Sequence, residues 1–217
     1  MRQIRLLGAA AAAFSALALT PASSLAQSGG VPGVAPSPPP AAAESSADPT
    51  FYDVPFGTRE LRLGMRGTDV KTLNWVLLGL ALGTPNTPDF AQPTDGAVRS
   101  FQSSAGLAAN GVVAQPTRKA LAIRMRSQHA SWYGPGLYGN STACGQKLKK
   151  RTLGVAHKKL PCGTKVAFAY RGRWVRAKVI DRGPYIPGRK WDLTEATATQ
   201  LGIVSAGAAK VKAVVAR

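Results

Sequence analysis

The residues from Val166 to Ile180 read VAFAYRGRWVRAKVI, and this stretch decides the fold of the second half of the chain. Large apolar residues alternate with small or polar ones in Val166–Tyr170 and again in Trp174–Ile180. A period of two residues is typical of a β-strand that buries one face. Arg171-Gly172 separates the two runs and predicts a tight turn, so we expect a β-hairpin here.

Further short elements are predicted on the C-terminal side of this hairpin. A helix is expected to open within residues 192–195, with Thr194 or Asp192 as its cap, and to end near Gly202. Val211–Val215 can supply a last strand. Many short strands with one or two helical turns predict a small closed barrel.

Residues 54–126 carry a helical pattern instead. Apolar residues recur at intervals of three and four along the first predicted helix, at Val70, Leu73, Leu77 and Leu80. Thr68 is its predicted N-cap, a second helix opens at Thr94, and a third opens at Pro116. Three short helices predict a small bundle.

The N-terminal segment is expected to direct export rather than to fold. Two arginines precede an apolar run from Leu6 to Leu19, and Ser24-Leu25-Ala26 forms a small-residue cleavage site. Residues 1–26 are therefore predicted to be a signal peptide. Residues 27–53 are mostly Pro, Ala, Ser and Gly, a composition that predicts an extended linker.

The composition excludes several classes of protein. The chain has 217 residues, and its 28 Lys and Arg against 10 Asp and Glu give a formal net charge of +18. The apolar content excludes a wholly disordered chain, and no apolar run approaches the ~20 residues of a membrane-spanning helix. Two cysteines are too few for a disulfide-built scaffold or a self-sufficient zinc site. In an exported protein, this charge favours anionic wall polymers over nucleic acid as partners.

A series of motifs runs through the second half of the chain, namely Ala130-Ser131-Trp132-Tyr133-Gly134, Ser141-Thr142-Ala143, Val155-Ala156-His157, Asp181-Arg182-Gly183-Pro184-Tyr185 and Asp192-Leu193-Thr194. The series resembles the double-psi β-barrel of the rare lipoprotein A (RlpA) family and, more distantly, the expansins. The resemblance implies a barrel over residues 128–217 that binds the glycan strands of peptidoglycan or cleaves them as a lytic transglycosylase.

The first half carries a second resemblance, in the motifs Asp69-Val70, Ala97-Val98, Phe101-Gln102 and Asn110-Gly111-Val112-Val113. These motifs are similar to the peptidoglycan-binding domain that many wall hydrolases carry, which implies a wall-binding bundle over residues 54–126. Asp95, Gln102 and Asn110 are its candidate groove residues. The predicted fold class is α + β in two domains, a small three-helix bundle followed by a six-stranded double-psi β-barrel.

The barrel resemblance singles out Asp181 as a candidate catalytic residue, with Asp192 and His157 in support. One carboxyl group can protonate the leaving glycosidic oxygen and then take the proton of the muramic 6-hydroxyl, as lytic cleavage requires. The family usually has a Glu where this chain has Gln146, and an amide cannot deliver a proton. Nearby cations also favour ionised carboxylates. The sequence alone therefore does not decide whether the barrel cleaves glycan strands.

Further residues are expected to bind the substrate. Tyr133 and Tyr185 offer aromatic faces that can stack on sugar rings. The resemblance adds three polar or charged residues, which are Gln146, Arg182 and Arg189. No metal ion and no cofactor is expected.

The two cysteines, Cys144 and Cys162, are predicted to form a disulfide. Export places both thiols in an oxidising compartment, and the chain has no others. A pair of buried free thiols and an intermolecular bridge are the alternatives.

These observations predict a monomeric protein, secreted to the cell wall or periplasm, that has no membrane span after signal cleavage. Its expected partners are peptidoglycan glycan strands and anionic wall polymers, and no nucleic acid. Three functions are open. The barrel cleaves wall glycan as a lytic transglycosylase, or it binds and loosens the wall without cleavage as expansins do, or the protein is a cationic secreted factor that acts on membranes or other polyanions.

Overall fold

The computed structural model describes residues 53–217. The predicted signal peptide at 1–26 and, apart from Asp53, the linker predicted for 27–53 lie outside the described residues. The described chain forms a helical segment followed by a closed barrel. This arrangement confirms the predicted α + β fold class.

The helical segment contains α1 (Thr68–Gly79), α2 (Gln92–Ser104) and α3 (Gln115–Arg124). The predicted N-cap of the first helix is wrong by one residue, because Gly67 occupies that position and Thr68 is already helical. The Thr68 hydroxyl donates instead to the carbonyl oxygen of Val54 at 2.9 Å. Among the described residues, no helix is both long enough and apolar enough to cross a membrane.

Six strands in the described residues close into a barrel in the order β1-β5-β2-β4-β3-β6. Two neighbouring pairs, β1 with β5 and β2 with β4, run parallel, and the other neighbours run antiparallel. The first strand begins two residues before the predicted domain boundary, which otherwise stays a prediction. The strands are β1 (Arg126–Tyr133), β2 (Gly154–Ala156), β3 (Lys165–Tyr170), β4 (Arg173–Asp181), β5 (Trp191–Thr194) and β6 (Ala208–Ala216).

The predicted hairpin is present as β3 and β4, and Arg171-Gly172 joins them. The predicted short helix is α4 (Glu195–Leu201), and Gly202 ends it in the left-handed conformation. Its cap is Thr194, whose side chain accepts from the backbone N–H of Thr197. Asp192, the other predicted cap, lies in β5 instead and is therefore free for another role.

A shift of register between β2 and β4 determines on which face of the sheet the last residue of β4 lies. Val155 pairs with Val179, but the next residue of β2, Ala156, pairs with Asp181. Ile180 is therefore an extra residue, which makes a β-bulge in β4. In a regular strand Asp181 would share the face of Val179, which belongs to the barrel core. The bulge places Asp181 on the outer face beside Ala156.

The helical segment packs directly on the outside of the barrel. Buried side chains of all three helices form one apolar cluster with four residues of the barrel wall, which are Ala167, Ala169, Trp174 and Ala216. Residues 53–217 accordingly belong to one compact unit. The interior of the barrel holds a second cluster, to which Val166, Phe168, Val179 and Leu193 belong.

Candidate functional site

Two carboxyl groups lie on either side of strand β2. Asp181 of β4 and Asp192 of β5 both pair with Ala156 of β2. Neighbouring strands are ~4.8 Å apart, so the two aspartate Cα atoms are about 10 Å apart on one face of the sheet. Ser131 of β1 pairs with Asp192 on its other side. These four residues form a row across four strands.

Asp192 is a half-buried acid. The Ser131 hydroxyl donates a hydrogen bond to its Oδ1 at 2.6 Å. Burial raises the pKa of Asp192 and the charge of Asp181 raises it as well, while the Ser131 hydrogen bond and Arg189 act in the opposite direction. Because burial is the largest of these effects, the protonated form persists to higher pH than in an exposed aspartate. A carboxyl group in this state is suited to donating a proton.

Asp181 holds the loop that faces it. Its Oδ1 accepts the backbone N–H groups of Ala143 at 2.9 Å and of Arg182 at 2.8 Å. The disulfide between Cys144 and Cys162, whose Cα atoms are 5.8 Å apart, fastens the same loop to the segment that precedes β3. The predicted intramolecular disulfide is therefore confirmed. The carboxylate and the disulfide together fix one wall of the site.

Tyr133, the last residue of β1, is close to both carboxyl groups. Burial raises the pKa of Tyr133, and the charges of Asp181 and Asp192 raise it further, so the phenol keeps its proton. Its hydroxyl is buried and has no hydrogen-bond partner of normal geometry among residues 53–217. A buried hydroxyl without a partner costs about 1–3 kcal/mol. The O–H group also interacts with the Asp181 carboxylate, which raises the same pKa, so a ligand oxygen would compete with Asp181 for it.

His157 directly follows β2 and is 5% exposed. Its Nδ1 accepts the backbone N–H groups of Lys159 at 3.1 Å and Leu160 at 2.9 Å, and its ring centroid lies 4.7 Å from that of Trp191. Burial lowers the pKa of His157 to about 4, and neighbouring cations lower it as well. The imidazole is therefore neutral near pH 7 and positions the loop after β2.

The residues expected to bind substrate differ in their availability. Tyr185 is 78% exposed in the loop between β4 and β5, and Gln146 is exposed on the loop that Asp181 holds. Arg189 is near enough to lower the pKa of Asp192. Arg182 is occupied by the protein itself, because its guanidinium donates to the carbonyl oxygen of Leu160 at 3.1 Å. Contact of these side chains with a substrate stays a prediction.

The three candidate residues of the helical segment form internal contacts. Gln102 is 1% exposed, and its amide donates to the Asn110 side chain at 3.0 Å and accepts the Gly111 N–H at 2.9 Å. Asp95 forms an ion pair with Arg99 at 2.7 Å. Gln102 therefore holds the Asn110-Gly111 turn and does not line an open groove in this conformation. The wall-binding role of Asp95 and Asn110 stays a prediction.

Sequence reasoning missed two residues of this site. Ser131 binds Asp192 directly, and Ile180 supplies the bulge that turns Asp181 outward. Ser131 could have been found, because it is a polar residue within the motif Ala130-Ser131-Trp132-Tyr133-Gly134 that carries the resemblance to the barrel family. The bulge depends on the pairing of two distant strands, which a single sequence does not display. Within residues 53–217, no group of three or more His, Cys, Asp or Glu side chains is placed to hold a metal ion.

Two family models match the chain, in the order that the sequence analysis predicts. A model for a peptidoglycan binding domain matches residues 66–121. A model described as lytic transglycolase matches residues 126–213, which include both aspartates. The resemblance to an RlpA-like barrel that follows a peptidoglycan-binding domain is therefore confirmed for these two segments.

Curated relatives agree with the second of these matches. The endolytic peptidoglycan transglycosylase RlpA of Campylobacter jejuni is 40% identical over 85 residues, which are 38% of this chain and 31% of the relative. The protein of the same name from Vibrio cholerae is 39% identical over 88 residues, which are 40% of this chain and 34% of the relative. The chain thus spans about a third of the length of these relatives.

Solved structures overlap with part of the chain. A papain inhibitor of Streptomyces has a TM-score of 0.36 at 22% identity and covers 43% of this chain and 96% of its own. A mutant expansin of Clavibacter michiganensis in complex with cellohexaose has a TM-score of 0.36 at 21% identity and covers 42% of this chain and 50% of its own. These scores are too low to support a conclusion about function.

Proposed function

Since an RlpA-like barrel follows a peptidoglycan-binding domain in this chain, we propose that the protein is exported, binds peptidoglycan and cleaves its glycan strands by lytic transglycosylation. The observation that carries this proposal is the pairing of Asp181 and Asp192 across Ala156, with the pKa of Asp192 raised by burial. The two carboxyl groups lie in different surroundings. Such a difference lets one carboxyl group stay protonated and act as the acid while the other is ionised.

Asp192 is the proton donor and acceptor in this proposal. Its carboxyl proton passes to the glycosidic oxygen of the leaving sugar while the 6-hydroxyl of the muramic acid residue attacks C1 and closes a 1,6-anhydro ring. The carboxylate then takes the proton of that hydroxyl, so one group serves as acid and as base. The family resemblance implied this leading role for Asp181, and the burial of Asp192 is the reason for exchanging the two.

The neighbouring groups orient the reaction. Asp181 holds the Ala143 loop and places negative charge where the sugar becomes positively charged. The buried O–H group of Tyr133 can donate to a sugar hydroxyl between the two carboxyl groups. Tyr185 presents an exposed ring on which a sugar can stack. The excess of Lys and Arg over Asp and Glu attracts anionic wall polymers at longer range.

Digestion of purified sacculi tests this function. The protein should release 1,6-anhydro-muropeptides, detected by mass spectrometry, and Asp192→Asn should abolish the release because an amide cannot protonate the leaving oxygen. Asp181→Asn should reduce it strongly. Asp89→Asn, which alters an exposed ion pair with Arg66, is the matched control and should leave it unchanged. Release that survives in Asp192→Asn overturns the assignment of the proton donor.

One observation favours binding without cleavage as a second candidate function. Gln146 lies on the loop that Asp181 holds and stands where the family usually has a catalytic Glu. If the loss of that carboxyl group has ended catalysis, the protein binds sacculi, releases no anhydro product, and gains release in Gln146→Glu. Release by the unaltered protein contradicts this candidate.

A further inference from the structure

The disulfide joins two segments that border the candidate site. On one side of it, the backbone N–H of Ala143 donates to Oδ1 of Asp181 at 2.9 Å, and the N–H of Cys144 donates to the carbonyl oxygen of Ile180 at 3.2 Å. On the other side, Cys162 lies 18 residues further along the chain, in the segment before β3. The cross-link therefore holds the loop around Ala143 beside the carboxyl group and the bulge.

This loop, residues 142–148, is here called the Ala143 loop, and it has few buried contacts. Thr142 and Leu148 are buried at its two ends, whereas the residues between them are exposed, apart from Cys144, which is half-buried. Exposed hydrogen bonds add little net stability, and loops with few buried contacts open locally. The disulfide is thus the strongest tie in the middle of the loop.

The surroundings of the Cys162 sulfur favour its reduction. Cys162 is exposed to solvent, and Nη2 of Arg182 donates a hydrogen bond to its Sγ at 3.4 Å. Nη1 of the same guanidinium donates to the carbonyl oxygen of Leu160 at 3.1 Å, which keeps the cation beside the sulfur. A neighbouring arginine stabilises a cysteine thiolate. Because only the reduced form contains a thiolate, Arg182 favours reduction, and exposed disulfides are the labile ones.

We propose that this disulfide is a thiol-exchange site at which a dithiol protein of the cell envelope reduces the bond and thereby lowers glycan cleavage, an inference that rests on the proposed function. Reduction frees the Ala143 loop, so that Asp181 loses one N–H donor and the site loses one wall. The oxidised protein is the active form, and the reduced protein is the less active one.

The exchange proceeds by two displacements at sulfur. A thiolate of the reductant attacks Sγ of Cys144, and the sulfur–sulfur bond breaks as Cys162 leaves as a thiolate beside Arg182. The second thiolate of the reductant then attacks the mixed disulfide and displaces Cys144. The reductant ends as a disulfide, two electrons pass to the protein, and the two thiol protons go to the cysteines or to solvent.

Equilibrium with dithiothreitol, a small dithiol, tests the thiol-exchange site. The oxidised protein is incubated near pH 8 with graded ratios of reduced and oxidised dithiothreitol, and free thiols are alkylated and counted by mass spectrometry. Arg182→Gln should lower the equilibrium constant for reduction at least about threefold, because the thiolate loses its cation. Arg182→Lys keeps the charge and should retain most of the parent's constant.

Arg151→Gln removes an exposed arginine from the segment before β2 and is the control of equal charge, which should leave the constant unchanged. An equal shift in Arg151→Gln and Arg182→Gln shows a general charge effect and overturns the proposal. Equal constants in the parent and Arg182→Gln overturn it as well. So does an equal loss in Arg182→Gln and Arg182→Lys, which would assign the effect to the hydrogen bond with Leu160.

Solvent exchange of the Ala143 N–H, measured by NMR, tests the release of the loop without involving catalysis. Reduction should speed this exchange at least about tenfold, because the N–H loses its acceptor on Asp181. The Gly111 N–H, which donates to the Gln102 side chain in the helical segment, is the internal control and should exchange at an unchanged rate. An Ala143 N–H that stays protected after reduction overturns the proposal. So does faster exchange at both amides, which would show unfolding of the whole protein.

Release of anhydro products from sacculi is the functional readout. The reduced parent should release at least about tenfold less product than the oxidised parent, because a displaced wall misplaces the substrate. Cys144→Ser with Cys162→Ser has no bond to reduce, so it should resemble the reduced parent and should not respond to dithiothreitol. A response in this double variant shows that the reductant acts elsewhere and overturns the proposal. If the oxidised parent releases no product, the cleavage proposal fails, while the thiol equilibrium and the Ala143 exchange rate still decide whether the thiol-exchange site exists.

Discussion

Asp192 favours its own neutral form, because it is half-buried and its pKa is raised. A carboxyl group with a folded-state pKa above the unfolded value stabilises the fold at low pH, and this stabilisation is lost as pH rises through the folded pKa. At pH 7 the ionised group therefore weakens the fold. Active sites often retain such a group at the expense of stability.

We therefore expect Asp192→Asn to be more stable than the parent at pH 7 and equally stable near pH 3. The amide oxygen of asparagine can still accept the hydrogen bond from Ser131, while the other carboxylate oxygen is replaced by an uncharged NH2 group. Urea unfolding at the two pH values measures the difference. Asp89→Asn, at an exposed ion pair, should gain nothing at pH 7. A less stable Asp192→Asn at pH 7 would show that ionised Asp192 is compensated in the folded protein.

Ser131 influences the pKa of the same carboxyl group. Its hydrogen bond lowers the pKa of Asp192, so its removal in Ser131→Ala should raise that pKa further. If protonated Asp192 starts the cleavage, the alkaline limb of the pH–rate profile for anhydro-product release moves to higher pH in this variant. A profile that only falls in amplitude, with its limb unmoved, contradicts the assignment.

At the level of elements, the β-bulge decides whether a site exists. Gly154 makes room for it, because a Cβ atom at this position would overlap Cδ1 of Ile180, the bulged residue. We expect Gly154→Ala to displace Ile180, to destabilise the protein by about 1–3 kcal/mol and to reduce anhydro-product release. Ile180→Ala removes the obstructing atoms, so Gly154→Ala should cost less stability in the Ile180→Ala background than in the parent.

Urea unfolding of the parent, both single variants and the double variant gives the coupling energy between the two positions. A coupling near zero would mean that Gly154 does not act through Ile180. The product assay on the same four proteins then reports whether the direction of Asp181 depends on the bulge. Recovery of stability without recovery of release would separate the fold from the site.

The same elements show what a sequence can and cannot predict. The β3–β4 hairpin follows from alternation around Arg171-Gly172, and α4 follows from Thr194 and Gly202, because these signals are local. The bulge, the placement of Tyr133 beside both aspartates and the burial of Asp192 arise from strands distant in sequence. The motif resemblance identified the carboxyl groups, but only the folded chain distinguishes their surroundings.

At the scale of the whole molecule, the helices and the barrel share an apolar cluster, a contact that the sequence does not predict. The docking surface is made of small barrel residues such as Ala167, Ala169 and Ala216, which carry no strong pattern of their own. Because buried groups of both parts belong to one cluster, unfolding of either part exposes apolar surface of the other. We expect thermal unfolding in a single transition.

Gly79 tests this docking, because it ends α1 against β6. A Cβ atom here would overlap the Val214 side chain and lie 2.9 Å from the backbone carbonyl oxygen of Val215. Alanine is the better helix former by about 1 kcal/mol, yet we expect Gly79→Ala to lower the melting temperature, because a strand backbone cannot move aside. Gly96→Ala in α2 is the matched control, where a Cβ meets nothing within 4 Å and stability should rise.

Circular dichroism at a helical wavelength and in the near-ultraviolet should lose signal together in each variant. If Gly79→Ala stabilises as Gly96→Ala does, or if the helical signal melts separately, the helices do not depend on the barrel.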